Sequence, residues 1–187
     1  MKELVTLVAI VLAVVGNLPY LLDVLKGNTK PHPYTWFVGS IVSATVFFGM
    51  FIKGAGIAAI PVAASEIFTL IIFFLSFKYG FKGSTYADKL FLVIALLGLI
   101  PWAITRDPTL SIIIAVTIDV LSFVPALRKT WLEPRTEHPI LYASNVLRHG
   151  LILASLGAYN VATMLHSIAM IGMNSAMFLV ITLRRSR

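Results

Sequence analysis

The chain is built from long apolar stretches separated by short polar breaks. The hydrocarbon core of a bilayer is about 30 Å thick and needs roughly 20 residues of helix to cross it. Seven stretches approach this length, at residues 4–25, 34–53, 57–77, 89–105, 109–128, 139–157 and 160–183. Five of the six breaks between them contain glycine, proline or charged residues, which end helices. The sequence therefore predicts an all-α, polytopic membrane protein with seven transmembrane helices.

The composition agrees with a lipid environment. Hydrophobic residues make up 58% of the 187 residues and charged residues 12%, whereas an average soluble domain is roughly 25% charged. The formal net charge of +7 could suit a nucleic acid, but the basic residues are dispersed over short loops. We therefore expect the bilayer, and no nucleic acid, as a partner. The absence of cysteine excludes disulfides, thiolate catalysis and cysteine metal sites.

A constant spacing of 106 residues relates three pairs of proline and histidine residues. The pairs are Pro19 and Pro125, His32 and His138, and Pro33 and Pro139. We interpret the spacing as duplication of a three-helix unit, with a first repeat at 1–80, a connector helix at 81–108 and a second repeat at 109–187. A single connecting helix leaves both units in the same orientation, which is the arrangement of parallel repeats. Because the region around Pro19 has this counterpart, we expect the first span to be retained rather than cleaved as a signal peptide.

The charges in the loops predict an orientation. Eleven of the 15 Lys and Arg residues fall in alternate loops, namely Lys26, Lys30, Lys78, Lys82, Lys89, Arg128, Lys129, Arg135, Arg184, Arg185 and Arg187. The other side holds only Lys2, Lys53 and Arg106, and Arg148 falls inside a span. Cytoplasmic loops carry the excess of positive charge. We therefore expect the N-terminus outside and the C-terminus in the cytoplasm, in a prokaryotic inner or plasma membrane.

The segment GNLPYLLD at residues 16–23, with its counterpart FVPALR at residues 123–128, lies near the cytoplasmic end of spans 1 and 5. Together with the three-one-three helix pattern, it resembles the SWEET and PQ-loop transporter superfamily, which is built from parallel repeats. The Pro-Gln pair that names the superfamily is replaced here by Pro19-Tyr20 and Pro125-Ala126. The Trp-x-x-Trp motif of the related vitamin-riboside carriers is absent. The resemblance therefore implies a divergent subfamily and no particular substrate.

The resemblance also implies roles for individual residues. A ring of prolines forms the hinge of the inner gate in SWEET-like carriers, and Pro19, Pro33, Pro125 and Pro139 match it loosely. The alternative to a hinge is that these prolines have no role in gating, because transmembrane helices tolerate proline and a His-Pro pair is common in turns. SWEET-like carriers also place an asparagine midway along their last helix to bind solute, and Asn174 has that position here.

Polar residues occur at the centres of several predicted spans. Glu66, Asp119, Arg148 and Asn174 lie near the middle of spans 3, 5, 6 and 7. An ionisable side chain at the bilayer centre costs roughly 2.5–3.5 kcal/mol, so each should face the bundle interior with a partner. Helical spacing places further polar groups on the same faces. The residues that share a face are, in span 6, Asn145, Arg148, His149 and Ile152; in span 7, Thr163, His166, Met170, Asn174 and Met177; in span 5, Asp119 and Ser122; and in span 3, Glu66 and Thr69.

We infer that these faces surround a central cavity between the two halves. The candidate solute-binding residues are Asn17, Glu66, Asp119, Asn145, Arg148, His149, His166 and Asn174. Several of them have a structural alternative. Asp119 and Arg148 form either a structural ion pair or, through the planar guanidinium, a site for an anionic solute group. His149 and His166 could be satisfied core histidines, and the methionines could serve packing alone.

Three further titratable residues, Glu66, His32 and His138, differ in their expected roles. Glu66 has no basic residue at matching depth in its own half, so it is the candidate for proton coupling. Its alternative is a neutral side chain that hydrogen-bonds a neighbouring helix. His32 and His138 lie in loops and are expected to be solvated.

No sequence motif of a soluble enzyme is present: there is no phosphate loop, His-Glu-x-x-His zinc motif or nucleophile elbow. We expect no enzymatic activity, no cofactor and no metal site. The sequence instead favours a facilitator or proton-coupled carrier of a small polar solute, working by alternating access between the two three-helix units. The alternative is a ligand-binding receptor or sorting protein on the same fold. A membrane enzyme or assembly factor is disfavoured because no loop is long enough for a water-exposed active site. A homo-oligomer is compatible with all of these functions.

Overall fold

A computed structural model describes residues 1–83, 85–86, 89–90, 92–93, 96–97 and 107–185. Within these residues the regular structure is helical and no strand is formed. The long helices are α1 (Lys2–Leu25), α2 (Pro33–Ile52), α3 (Ile60–Tyr79), α4 (Pro108–Leu132), α5 (Pro139–Ser155) and α6 (Val161–Arg185). Two 3₁₀ turns, Gly56–Ala59 and Pro134–Thr136, precede α3 and α5.

Six of the seven predicted spans are thus helices, and their observed ends lie close to the predicted ones. The predicted connector, 89–105, lies mostly outside the described residues. Within the described residues, five helices are long and apolar enough to cross a membrane: α1, α2, α3 with its preceding turn, α4 and α6. This is what an integral membrane protein requires. Helix α5 has only 17 residues and is not among these five. The seven spans and their three-one-three arrangement therefore stay predictions.

Proline determines where several helices begin. Pro33, Pro108 and Pro139 each stand in the first turn of a helix, where the missing N–H has no helical partner to lose and the fixed φ suits the helix. Helix α4 has an additional signal, because the Asp107 side chain accepts hydrogen bonds from the backbone N–H groups of Thr109 and Leu110. This is the N-cap arrangement that satisfies the free donors of a helix start.

The six helices form a closed ring. Around it, α1 packs against α3, α3 against α2, α2 against α4, α4 against α6, α6 against α5, and α5 against α1. In each group of three, α1–α3 and α4–α6, the third helix lies between the other two. The groups meet where the first helix of one packs against the second helix of the other, at α1·α5 and α2·α4.

Equivalent loops of the two groups lie at the same end of the ring. At one end, the N–H of Lys30 donates to the carbonyl of Thr136 over 3.3 Å, joining the α1–α2 and α4–α5 loops. At the other end, the N–H of Gly157 donates to the carbonyl of Ala55 over 3.2 Å, joining the α5–α6 and α2–α3 loops. The loops and helix ends at the first end carry most of the described basic residues, and we call it the basic end. It includes Lys26, Lys30, Lys78, Lys82, Arg128, Lys129, Arg135, Arg184 and Arg185.

The interior has a polar layer between two apolar clusters. The cluster nearer the basic end contains Tyr20, Val24, Ile72, Ala126, Leu141, Tyr142, Met177 and Ile181. The other cluster includes Ala9, Val42, Met50, Ile112, Ile152 and Leu156. Along α1, α4, α5 and α6 buried polar residues lie between these clusters, among them Asn17, Asp119, Arg148 and His166. The outward faces are apolar, as expected of surface in contact with lipid, and more than half of each of these side chains is exposed: Leu7, Ile67, Phe74, Leu147 and Leu179.

Candidate functional site

A cavity of about 110 Å³ lies in the polar layer, and all six helices contribute to its wall. Seven of the eight candidate solute-binding residues line it: Asn17, Asp119, Asn145, Arg148, His149, His166 and Asn174. The wall is completed by side chains that include Trp36, Ser43, Thr69, Phe123 and Tyr142. Residues that are far apart in sequence are thereby brought together at one place.

Arg148 and His149 begin a hydrogen-bonded chain across the wall of this cavity. Arg148 Nη1 donates to the carbonyl of Pro61 at 3.2 Å, which links the second group of helices to the first. Arg148 Nη2 lies 3.1 Å from His149 Nε2, and His149 Nδ1 lies 3.2 Å from Ser167 Oγ. Because a guanidinium can only donate, His149 Nε2 is the acceptor and its Nδ1 carries the proton that faces Ser167.

Asp119 lies beside His166 and not beside Arg148, the partner that the sequence suggested. Its Oδ2 lies 3.8 Å from His166 Nε2, and both side chains are buried. The His166 ring in turn packs edge-on against the His149 ring, with 5.3 Å between their centroids. In the described part of the chain Arg148 forms no ion pair with Asp119, so the structural ion pair considered above is not formed.

Two asparagines face each other on the same wall. Asn145 Nδ2 donates to Asn174 Oδ1 at 3.1 Å, and Asn174 Nδ2 donates to the carbonyl of Met170 at 2.8 Å. Asn17, on α1, also lines the cavity and donates to the carbonyl of Ala13 one turn earlier at 2.7 Å. These contacts hold the amides in place. The polar stripe predicted on the last helix is buried along its length, from Thr163 to Met177.

Glu66 is the exception among the candidate residues. It does not line the cavity but a separate, mostly apolar groove of about 930 Å³ along α2, α3 and the start of α4. The neighbouring Ser43, which lies on the cavity wall, interacts with the Glu66 carboxyl group. The carboxyl oxygen Oε2 is buried with no hydrogen-bond partner among the described residues. The prediction that Glu66 shares the central site is therefore corrected to a position beside it.

The four prolines have the positions that their spacing predicts, while their role as hinges stays a prediction. Pro19 and Pro125 lie inside α1 and α4, and Pro33 and Pro139 begin α2 and α5. The histidine that precedes Pro33 departs from expectation, because His32 is 2% exposed and lines the cavity instead of being solvated. His138 is partly exposed and its Nε2 lies 3.3 Å from Asp23 Oδ2 at the end of α1.

A buried cluster at the basic end of the cavity was not predicted from the sequence. Lys129 Nζ donates to Glu137 Oε1 at 2.7 Å, with side-chain exposures of 0% and 3%. Tyr142 donates its hydroxyl to Glu137 Oε2 at 2.8 Å. Glu137 precedes the repeated His-Pro pair and is the signal that could have drawn attention to this loop. Its pairing with Lys129 depends on the path of the loop, which no sequence pattern encodes.

No group of three or more acidic or histidine side chains in the described ranges could hold a metal ion. The cavity instead offers a guanidinium, imidazoles, amides and a carboxylate, which are groups that bind a polar solute. Comparison of the chain with protein-family models, with curated proteins and with solved structures finds no significant match.

Proposed function

We propose that this protein is a membrane carrier of a small polar solute, which binds in the central cavity and crosses by alternating access between the α1–α3 and α4–α6 groups. The main support for this proposal is a cavity inside the bundle that is lined by polar and charged side chains and to which all six helices contribute. Burying Asp119 and Arg148 in a membrane-embedded bundle is costly, and such residues mark solute or ion pathways.

The arrangement of the helices supports the same proposal. Both groups place their third helix between the other two, and their equivalent loops lie at the same end. Two copies of one unit in the same orientation would produce this order. As part of the proposal we place the chain with SWEET-like and PQ-loop carriers, with the predicted connector as its seventh span, and we assign the basic end to the cytoplasm.

Uptake by the purified protein in liposomes tests the proposal. Labelled small polar solutes, such as amino acids, hydroxy acids, sugars and vitamins, are supplied with and without an inward proton gradient. We expect saturable uptake of at least one solute class above empty liposomes, and acceleration by the gradient if transport is proton-coupled. Saturable binding without net flux or exchange would instead identify a receptor or sorting protein.

A cavity-filling variant provides the control for specificity. Gly39 lines the cavity, and a Cβ added there would make only an ordinary contact with Thr69, at 3.7 Å. Gly39→Leu should therefore fold but fill solute space, and uptake should fall to background. The matched control is Gly150→Leu, because a Cβ added at Gly150 meets nothing within 4 Å. Unchanged uptake by Gly39→Leu would contradict transport through this cavity.

A further inference from the structure

The Arg148 guanidinium in the cavity wall has no acidic partner in the described part of the chain. Its side chain is 5% exposed, and its protein partners are the carbonyl of Pro61 and the ring of His149. Arginine carries five N–H donors and remains charged. Nε is buried without any hydrogen-bond partner among the described residues. A buried cation that meets only neutral acceptors is costly, because their dipoles replace only part of its hydration.

The cavity that Arg148 lines also offers hydrogen-bond acceptors. Asn145 donates its amide N–H to Asn174, and its side-chain carbonyl oxygen accepts no hydrogen bond from any described residue. Asp119 contributes carboxylate oxygens, with His166 Nε2 at 3.8 Å. The titratable groups that line the cavity are His32, Asp119, Glu137, Tyr142, Arg148, His149 and His166. The carboxylate of Glu137 is already bound by Lys129 and by the Tyr142 hydroxyl. Arg148 therefore presents a positive group, and Asp119 and Asn145 present separate acceptor groups, to one small volume.

The volume limits the size of the solute. A protein cavity of about 150 Å³ accommodates benzene, which has six non-hydrogen atoms. The cavity here, at about 110 Å³, is smaller. It therefore suits a solute of at most about six non-hydrogen atoms and excludes a disaccharide or a nucleoside in this conformation.

We propose that the cavity binds a small monocarboxylate that carries a hydroxyl or ammonium group beside the carboxylate, with Arg148 as the counter-charge. The carboxylate accepts from Arg148, because guanidinium and carboxylate match in planar geometry. The second group donates to the carbonyl of Asn145 or to Asp119. This inference rests on the proposed carrier function only for the movement of the solute after binding; the site itself requires no transport.

Binding to the purified, detergent-solubilised full chain tests the site. Lactate and alanine are compared by calorimetry and thermal stabilisation with lactamide, which replaces the carboxylate of lactate by a neutral amide, and with chloride. We expect lactate or alanine to bind and to raise the melting temperature with concentration, while lactamide does neither. Equal binding of lactate and lactamide, binding of chloride alone, or no binding of any probe would overturn the proposal.

Variants locate the charge that is responsible. Arg148→Gln should weaken lactate binding by at least about thirtyfold, because truncating one partner of a buried charge pair costs about 2 kcal/mol or more. Arg148→Lys keeps the charge but loses the planar fork, and is expected to bind with intermediate strength. Asp119→Asn should weaken alanine more than lactate, since only alanine brings an ammonium group. Lys26→Gln, a change at the exposed basic end, is the control and should leave binding unchanged.

The two proposals fail in different ways. Carboxylate binding that depends on Arg148 without flux in liposomes would retain the site and overturn the carrier. Flux of an uncharged solute without any carboxylate binding would retain the carrier and overturn the site. If Arg148 variants do not fold, the comparison of lactate with lactamide on the unaltered chain still decides whether the site recognises a carboxylate.

Discussion

In the part of the chain that the structure describes, buried charges occur at two places, and their partners differ. At the basic end, Lys129 and Glu137 neutralise each other, and the Tyr142 hydroxyl adds a hydrogen bond to Glu137. In the cavity, Arg148 meets only neutral groups among the described residues. The first arrangement is complete within the protein, whereas the second leaves a positive charge for a solute. This contrast is why we propose a structural role for Lys129 and a solute-binding role for Arg148.

The pair at the basic end leads to a stability prediction. Lys129→Met removes the counter-charge of a buried carboxylate, and breaking a buried pair in this way costs about 3–5 kcal/mol. We expect a clear fall in the melting temperature of the purified protein. Adding Glu137→Gln to Lys129→Met should recover part of the loss, because no unpaired charge then remains. Lys26→Met, at an exposed position, is the control, and an equal fall in that variant would contradict the explanation.

At the scale of helices, the two groups approach each other closely at glycines. Gly16 of α1 lies against Ser144 of α5, where an added Cβ would overlap the serine side chain. Gly49 of α2 lies against Ile112 of α4 in the same way, with 2.5 Å from an added Cβ to the isoleucine side chain. Small residues allow membrane helices to pack closely. Each of the two contacts between the groups therefore depends on a glycine.

The contact between α1 and α5 can be tested by compensation. Gly16→Ala should lower the melting temperature, because the methyl group forces α1 away from α5. Combining it with Ser144→Gly removes the overlapping atoms and should restore part of the stability. Gly150→Ala, at an open position of α5, should be neutral or slightly stabilising, since alanine favours helix over glycine by about 1 kcal/mol. A Gly16→Ala variant as stable as the parent would show that the helices are not in close contact there.

At the scale of the whole molecule, the distribution of charge distinguishes the two ends of the bundle. The loops at the basic end contain Lys26 and Lys30, and the other end is represented among the described residues by Lys2 and Lys53. Helix α2, with 20 residues, separates Lys53 from the basic end by about 30 Å. That distance is the thickness of the hydrocarbon core of a bilayer, so the two ends should face opposite sides of the membrane.

Labelling of single cysteines tests this orientation, since the chain contains no cysteine of its own. Lys53→Cys should react with a membrane-impermeant maleimide added to intact cells. Lys26→Cys should react only after the membrane is made permeable, because the positively charged end is expected in the cytoplasm. Both variants must first be shown to reach the membrane in equal amount. Labelling of both positions from outside, or the reverse pattern, would contradict the assignment.

The described helices were largely predictable because their signals are local. Prolines in the first turn mark the starts of α2, α4 and α5, and helical periodicity predicts which residues of α6 face inward. Periodicity within α1, α4, α5 and α6 likewise indicated seven of the polar residues that line the cavity. Such local signals carry no information on which helices pack against each other or at what depth. The position of Glu66 beside the cavity and the burial of His32 therefore differed from expectation.

The sequence by itself determined that the chain forms long apolar helices with polar residues at their centres, because helix length and periodicity are properties of each segment alone. Only the tertiary structure decided which of those residues meet. Asp119 faces His166 and Arg148 reaches Pro61 because the ring order sets which helix faces confront each other and at what depth. Such pairings depend on the rotation and height of several helices at once. The same dependence closes Lys129 onto Glu137 and leaves Arg148 facing the cavity without an acidic partner in the described chain.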